Sequence, residues 1–212
     1  MEPSRINVLS GTFSILAISP ESKLMGVAVA SGSTSVGDRV PHAKPGIGVI
    51  ATQAYTNVIY GTRGLELLVK GLAPQEVLDI LLEEDPEREL RQVAIMDFKG
   101  RKAAFTGANT PKCHAQVVGE DYVVLGNLLS NEDVVSNMAK QFESSREDLA
   151  WRMLRALKAG SKSGGDRRGE KSAALVVVST KKVEVEIKVD VHENPIAELR
   201  RRLGDSQDKR MM

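Results

Sequence analysis

The stretch Gly11-Thr12-Phe13-Ser14-Ile15-Leu16-Ala17-Ile18 contains an apolar run that predicts a buried β-strand beginning at Thr12. We interpret residues 1–11 as a short leader. If the Gly11–Thr12 bond were cut, Thr12 would carry a free α-amine with an ordinary pKa of about 7.7–8.0. Such an amine takes the proton of the neighbouring hydroxyl, which makes the threonine a nucleophile with its own base. The alternative is that Gly11-Thr12 is only a turn that enters a strand.

Two more apolar runs follow this first strand. Residues 24–31 predict a second strand, joined to the first by the turn residues Ser19-Pro20-Glu21-Ser22. Residues 46–53, which follow Pro45, predict a third. Because the second run contains almost no polar residue, we expect these strands to be covered on both faces.

The remainder of the chain alternates between helical and strand patterns. In order, it predicts a helix with Leu65, Leu68 and Val69 on one face, a helix from Pro74 to Asp85, hairpins of 92–98 with 102–107 and of 115–118 with 122–125, a helix from Asn131, a helix capped by Ser145, strands at 172–178 and 183–191, and a helix at 195–203. Since doubly covered strands need two outer layers, the order favours an α+β fold, a four-layer αββα sandwich of two mainly antiparallel sheets. Residues 12–204 would form the single domain, and 205–212 a flexible tail.

The composition narrows the classes of partner. The 212 residues carry 29 basic and 28 acidic side chains, a net charge of +1, and only 4% of them are aromatic. A nucleic-acid-binding protein needs a basic stripe with stacking rings, so we expect a small-molecule or peptide-like substrate instead. No apolar run approaches the ~20 residues of a membrane span, and the single Cys113 forms no internal disulfide, which favours a cytoplasmic protein with no membrane partner. We expect no cofactor or metal, and the closing helix is a candidate homodimer surface.

A basic, glycine-rich loop occupies residues 160–171. It is similar to a phosphate loop, but Glu170 interrupts the motif and a strand follows in place of a helix. Asp166, Arg167 and Arg168 either form a cradle for an anion or belong to a solvated basic loop. Other nucleophile patterns are weaker, because no histidine is placed by the local sequence beside a serine and an aspartate.

Five motifs in order are similar to those of one family. They are Thr12-Phe13-Ser14-Ile15, Gly26 to Ser31, Ile50-Ala51-Thr52-Gln53, Tyr60 to Leu68 and Gly164 to Leu175. On these motifs the chain, from about Thr12 to Leu203, resembles an uncharacterised bacterial and archaeal domain family of unknown function that is classed with the N-terminal nucleophile (Ntn) hydrolases. The resemblance implies the αββα sandwich and the hydrolysis of an amide bond.

The resemblance also implies site residues. Proteasome-type members of the wider superfamily place a nucleophilic threonine first on the opening strand, a carboxylate after the second strand and a lysine before the third. Thr12 and Lys44 match by position, although Lys44 also fits a surface lysine at a strand entrance. Ser31 stands where the carboxylate is expected, so another acid, such as Asp38 or Asp166, would have to serve.

Two functions follow from these patterns. In the first, an Ntn-type amidohydrolase, Thr12 is the nucleophile, Lys44 tunes its pKa, and Gln53, Asn57 or backbone amides near Ser31 stabilise the oxyanion. The cradle in the basic loop would bind an anionic end of the substrate, and cleavage of the leader would be required. In the second, a non-catalytic anion-binding or scaffold protein uses the same cleft for a small anion.

Overall fold

The computed structural model describes residues 11–211, and the side chains of residues 11–206. The leader predicted at residues 1–11 lies outside the described residues except for Gly11, and so does Met212. The strands are β1 (Thr12–Ser19), β2 (Leu24–Ser31), β3 (Pro41–Lys44), β4 (Gly48–Ala54), β5 (Arg91–Asp97), β6 (Lys102–Thr106), β7 (Ala115–Val118), β8 (Tyr122–Asn127), β9 (Ser172–Ser179) and β10 (Val183–Val189). The helices are α1 (Ile59–Val69), α2 (Pro74–Glu83), α3 (Asp133–Ser144), α4 (Leu149–Lys162) and α5 (Pro195–Met211).

The strands form two antiparallel sheets that pack face to face. The larger sheet has the order β10-β9-β2-β1-β8-β7, and the smaller has the order β3-β4-β5-β6. Apolar side chains from both sheets fill the space between them. Helices α3, α4 and α5 cover the outer face of the larger sheet, and α1 and α2 cover that of the smaller. The predicted α+β fold with four αββα layers is therefore confirmed.

Strand β1 shows why its sequence lacks the polar–apolar alternation of a surface strand. Phe13 and Ile15 point to the helices, whereas Leu16 points to the layer between the sheets, and all three are fully buried. Because successive side chains of a strand point to opposite faces, a strand in the middle of a four-layer fold needs apolar residues on both.

One short strand differs from the prediction. Residues 41–44 form β3, which makes an antiparallel hairpin with β4, the strand predicted at 46–53. Pro41 and the half-exposed His42 weaken the strand pattern there, since proline cannot donate to a ladder. β3 is tolerated because it lies at the edge of the smaller sheet.

Two helix ends also differ from the prediction. Asp148, not Ser145, caps α4, because its carboxylate accepts a hydrogen bond from the backbone N–H of Trp151 at 3.3 Å. The closing helix continues to the end of the described range, beyond the end predicted from its apolar stripe. Arg201 stabilises this extension through an ion pair with Asp205 one turn later. Within residues 11–211, no helix combines the length and the apolar character that crossing a membrane requires.

Candidate functional site

A row of buried polar side chains crosses the larger sheet at one end. Thr12 lies opposite Ser31 of β2 on one side and Asn127 of β8 on the other, and Ser31 lies opposite Ser172 of β9. Directly paired residues point to the same face of a sheet, so these four side chains share a face. It is the face toward the smaller sheet, because the next residue, Phe13, points to the helices. All four are fully buried.

The peptide bond that precedes Thr12 is held by two donors. The Ser31 hydroxyl donates a hydrogen bond to the carbonyl oxygen of Gly11 at 2.6 Å, and an Arg168 Nη2 donates to the same oxygen at 3.2 Å. The Thr12 hydroxyl in turn donates to Ser31 Oγ at 3.2 Å, which also accepts from the backbone N–H of Ser33. Two donors, one of them cationic, draw electron density toward that oxygen and make the Gly11 carbonyl carbon more electrophilic.

Asp166 supplies the carboxylate at this end of the sheet. Its side chain has no exposed surface and accepts hydrogen bonds from the Gly32 N–H at 2.7 Å and from the Arg168 guanidinium at 2.8 and 3.1 Å. A Cβ added to Gly11 or to Gly32 would lie 2.6 or 2.8 Å from its Oδ2 atom. Asp166 therefore packs directly against the residue before Thr12, and both glycines are required by this close approach.

The smaller sheet contributes two buried amides. Gln53 of β4 accepts a hydrogen bond from the Ser14 hydroxyl at 2.7 Å, and its amide nitrogen donates to Gln92 of β5 at 2.8 Å. The same nitrogen lies 3.4 Å from the backbone oxygen of Thr12. Asn127 donates to Gln92 Oε1 at 3.0 Å, whereas its own Oδ1 is buried without a hydrogen-bond partner among the described residues. Gln53 thus ties the smaller sheet to β1, next to the predicted nucleophile.

Lys44 lies away from Thr12. It pairs with Gly48 at the start of β4, whereas Gln53, which contacts Thr12, is near the end of the same strand. Five residues of strand separate those positions by roughly 17 Å. Lys44 is exposed and forms the corner of the β3–β4 hairpin. The geometry therefore does not bring this lysine to the site, and the cation beside the Gly11–Thr12 bond is Arg168.

Asn57 also serves a local purpose. Its Oδ1 accepts a hydrogen bond from the Ile59 N–H at 3.1 Å, which satisfies a free backbone donor at the start of α1. Its backbone oxygen accepts from the Thr52 hydroxyl. These contacts hold the loop between β4 and α1 and do not aim the amide at Thr12.

The remaining predicted acid and base residues separate into two groups. Asp38 pairs with Lys188 on the surface at 2.8 Å, so of the two candidate acids Asp166 is the one that packs against Gly11, the residue before Thr12. Arg167 is exposed, and its guanidinium points to Cys113 Sγ at 3.4 Å. The predicted cradle of three residues is consequently split, with two members at the Gly11–Thr12 bond and Arg167 outside. Among the described residues, no three His, Cys, Asp or Glu side chains cluster in a way that would hold a metal ion.

Backbone strain accompanies these residues. Ala54, directly after Gln53, has φ +70°, and Leu128, directly after Asn127, has φ +50°. Non-glycine residues with positive φ are costly and are concentrated at functional sites, where surrounding structure enforces them. The backbone is thus strained directly after each of the buried amides Gln53 and Asn127, a feature that local sequence patterns do not reveal.

Comparison with known proteins places the chain in a family. A family model matches residues 12–199, most of the chain. The chain belongs to DUF1028, a family of unknown function. Membership of a domain family of unknown function, expected from the five motifs, is confirmed.

A solved structure agrees with this membership. A crystal structure from Silicibacter pomeroyi, also described as DUF1028, is 32% identical with a TM-score of 0.87, and the match covers 92% of this DUF1028 chain and 86% of the other. Anbu (ancestral beta-subunit) from Yersinia bercovieri is 11% identical with a TM-score of 0.45, covering 94% and 96% of the two chains. A search of curated proteins found no significant match.

Proposed function

We propose that this DUF1028 protein is an Ntn-type amidohydrolase whose nucleophile is Thr12, released when the Gly11–Thr12 bond is cleaved. One observation carries the proposal: the Gly11 carbonyl oxygen accepts hydrogen bonds from Ser31 and Arg168 while the Thr12 hydroxyl donates to Ser31. A nucleophile, a proton acceptor and two oxyanion donors thus surround one peptide bond. The family match also begins at Thr12, which leaves residues 1–11 outside it.

The contacts support one route for cleavage of that bond. Thr12 Oγ attacks the Gly11 carbonyl carbon, its proton passes to Ser31 Oγ, and the Ser31 proton passes to the Gly11 oxygen. The adduct collapses with rupture of the C–N bond, the nitrogen takes the proton that the Gly11 oxygen releases as its C=O bond re-forms, and Gly11 is left as an ester on Thr12. Water hydrolyses the ester, so that Gly11 leaves as a carboxylic acid and Thr12 keeps a free hydroxyl and a free α-amine.

Substrate turnover reuses the same groups. The α-amine takes the hydroxyl proton, since its ordinary pKa of about 7.7–8.0 is suited to a base near neutral pH. Ser31 and Arg168, no longer bonded to Gly11, donate to the oxyanion of the substrate. Asp166 orients Arg168 and holds negative charge beside the new amino terminus. Arg167, which is exposed, is available for an anionic part of a small or peptide-like substrate.

The mass of the purified protein tests the proposal. We expect the wild type to lose residues 1–11, and Thr12→Ala and Ser31→Ala to retain them, because each removes a link of the proton transfer. Thr12→Ser should still be cleaved, since it keeps the hydroxyl. Thr62→Ala, which removes an exposed hydroxyl from α1, is the control and should be cleaved as the wild type is.

A hydroxyl-reactive β-lactone separates cleavage from catalysis. The cleaved wild type should be labelled at Thr12, and Thr12→Ala should not be labelled. Wild-type protein that hydrolyses an amide while it retains Met1 to Gly11 would overturn the proposal, because a blocked α-amine cannot act as the base.

The second candidate is a non-catalytic anion-binding or scaffold protein. Two observations on the chain that still carries Gly11 favour it. Thr12 is completely buried, and Asp166 accepts four hydrogen bonds. It predicts that Thr12→Ala binds a small anion as the wild type does and that Arg167→Ala does not. Loss of anion binding in Thr12→Ala would count against it.

A further inference from the structure

A groove separate from the Thr12 row runs between α4 and α5 on the outer surface. Its volume is about 660 Å³, within the range of pockets that hold small ligands. Its lining residues are Trp151, Leu154, Arg155, Lys158, Ser161, Lys162, Asn194, Ile196, Ala197, Arg200, Arg201 and Gly204.

The α4–α5 groove is strongly positive. Five of its lining residues are basic and none is acidic. Arg155 pairs with Glu147, and Arg201 pairs with Glu198 and Asp205. The other three cations, Lys158, Lys162 and Arg200, form no ion pair with any side chain in residues 11–206. The groove therefore has an excess positive charge in a chain whose net charge is only +1.

The spacing of these cations along α4 does not favour the helix, although Arg155 pairs with Glu147 and Lys162 lies in the last turn, where a cation is favourable. Arg155, Lys158 and Lys162 recur at spacings of three and four on one face of α4. Like charges at those spacings repel and destabilise a helix slightly. Burial does not explain the arrangement either, because all three residues are exposed.

Gly204 lines the groove on the α5 side. A Cβ added to Gly204 would have no atom within 4 Å, so packing among the described residues does not require glycine there. Glycine inside a helix is less favourable than alanine. Beside it, Ala197 is small, and Trp151, Leu154 and Ile196 supply apolar surface. The groove thus joins a cationic rim to an apolar floor.

We propose that the α4–α5 groove binds a small organic polyanion of nucleotide size. Its phosphate groups contact Lys158, Lys162 and Arg200, and its apolar part rests on Trp151 and the neighbouring aliphatic side chains. Arginine and lysine donate charge-assisted hydrogen bonds to phosphate, which suits this rim. The proposal does not depend on hydrolysis at Thr12.

The single tryptophan of the chain, Trp151, reports on the groove directly. We would titrate full-length protein with ATP at low salt, by calorimetry and by Trp151 fluorescence, and repeat it with the uncleavable Thr12→Ala variant. We expect saturable binding that shifts the fluorescence and weakens with salt. A lysine double variant, K158Q with K162Q, should bind at least tenfold more weakly. The matched control, K70Q with K99Q, removes two exposed lysines from elsewhere and should bind as the wild type does.

Gly204→Leu tests the shape of the groove independently of its charge. Because a side chain at this position meets open space, the thermal midpoint should stay equal or rise while ATP binding falls at least tenfold. Inorganic triphosphate should bind more weakly than ATP, since it cannot use the apolar floor. Equal binding of the two, equal losses in both lysine double variants, or no saturation by ATP would each overturn the proposal.

Discussion

Two ion pairs of this protein have the same length and opposite surroundings, which makes them a controlled comparison. Asp166–Arg168 and Asp38–Lys188 both have nitrogen–oxygen distances of 2.8 Å. The Asp166 carboxylate has no exposed surface, whereas the side chain of Asp38 is 59% exposed. We predict that Asp166→Asn destabilises the fold far more than Asp38→Asn does.

The magnitude follows from the contacts of Asp166. Asparagine keeps one oxygen but places an NH₂ group against a donor, so either the Gly32 N–H or the Arg168 guanidinium loses its acceptor. Removing one partner of a buried pair costs about 3–5 kcal/mol, and we take about 3 kcal/mol because 35% of Arg168 is exposed to screening water. Asp38→Asn should cost about 0–1 kcal/mol, as exposed pairs do.

Urea unfolding followed by Trp151 fluorescence measures both free energies, and the slope with urea should stay unchanged. In thermal scans, the loss for Asp166→Asn corresponds to roughly 6–12 °C in Tm for a domain of this size. Adding Arg168→Gln to Asp166→Asn should cost less than the sum of the single changes, because the two groups interact. Equal losses for Asp166→Asn and Asp38→Asn would refute the reasoning.

Two further predictions concern the smaller sheet and its helices. Burial opposes the ionisation of Asp85, but the hydrogen bonds from Arg91, with Nε at 2.8 Å, outweigh it and hold the pKa of Asp85 below its ordinary value of 3.8. A depressed acid pKa stabilises the fold above the unfolded-state pKa, and that stabilisation is lost as the pH falls. The difference in Tm between the wild type and Asp85→Asn should therefore shrink as the pH falls from about 5 to about 2. Parallel pH profiles of Tm would contradict this. A Cβ on Gly61 would lie 2.1 Å from the His42 ring, so Gly61→Ala should lower the free energy of unfolding by about 1–3 kcal/mol. Gly204→Ala, which meets open space, is its control, and equal unfolding free energies for the two variants would contradict the prediction.

The layers of the fold were predictable because the central strands are apolar on both faces. Strand β2, from Leu24 to Ser31, is stable only between two apolar layers, because its residues are apolar on both faces. The pairing of Thr12 with Ser31 also follows from a hairpin between consecutive strands. For β1 and β2, the local sequence pattern therefore predicts the same arrangement that the tertiary structure shows.

The site was predictable only in part because its contacts are distant in sequence. The position of Lys44 could not be read from the sequence for one reason: the strand β3 was not recognised, and it makes this residue the corner of a hairpin, at the end of β4 opposite to Gln53. Gln92 and Asn127 were missed because each lies near the end of its strand, and only sheet pairing brings them together. The amide of Asn57 bonds locally because it is a short side chain next to a helix start.

The buried amides next to the polar row also favour one alignment of the two sheets. In β4, Val49 and Ala51 point to the same side as Gln53, between the sheets, while Ile50 points to the helices. A slip of one residue would rotate Gln53 into the hydrocarbon under α1, where its amide would lack the partners it has in Ser14 and Gln92. An unsatisfied buried polar group costs about 1–3 kcal/mol. The buried amides near Thr12 therefore disfavour misaligned strands. Substitutions at these amides should lower the yield of correctly folded protein.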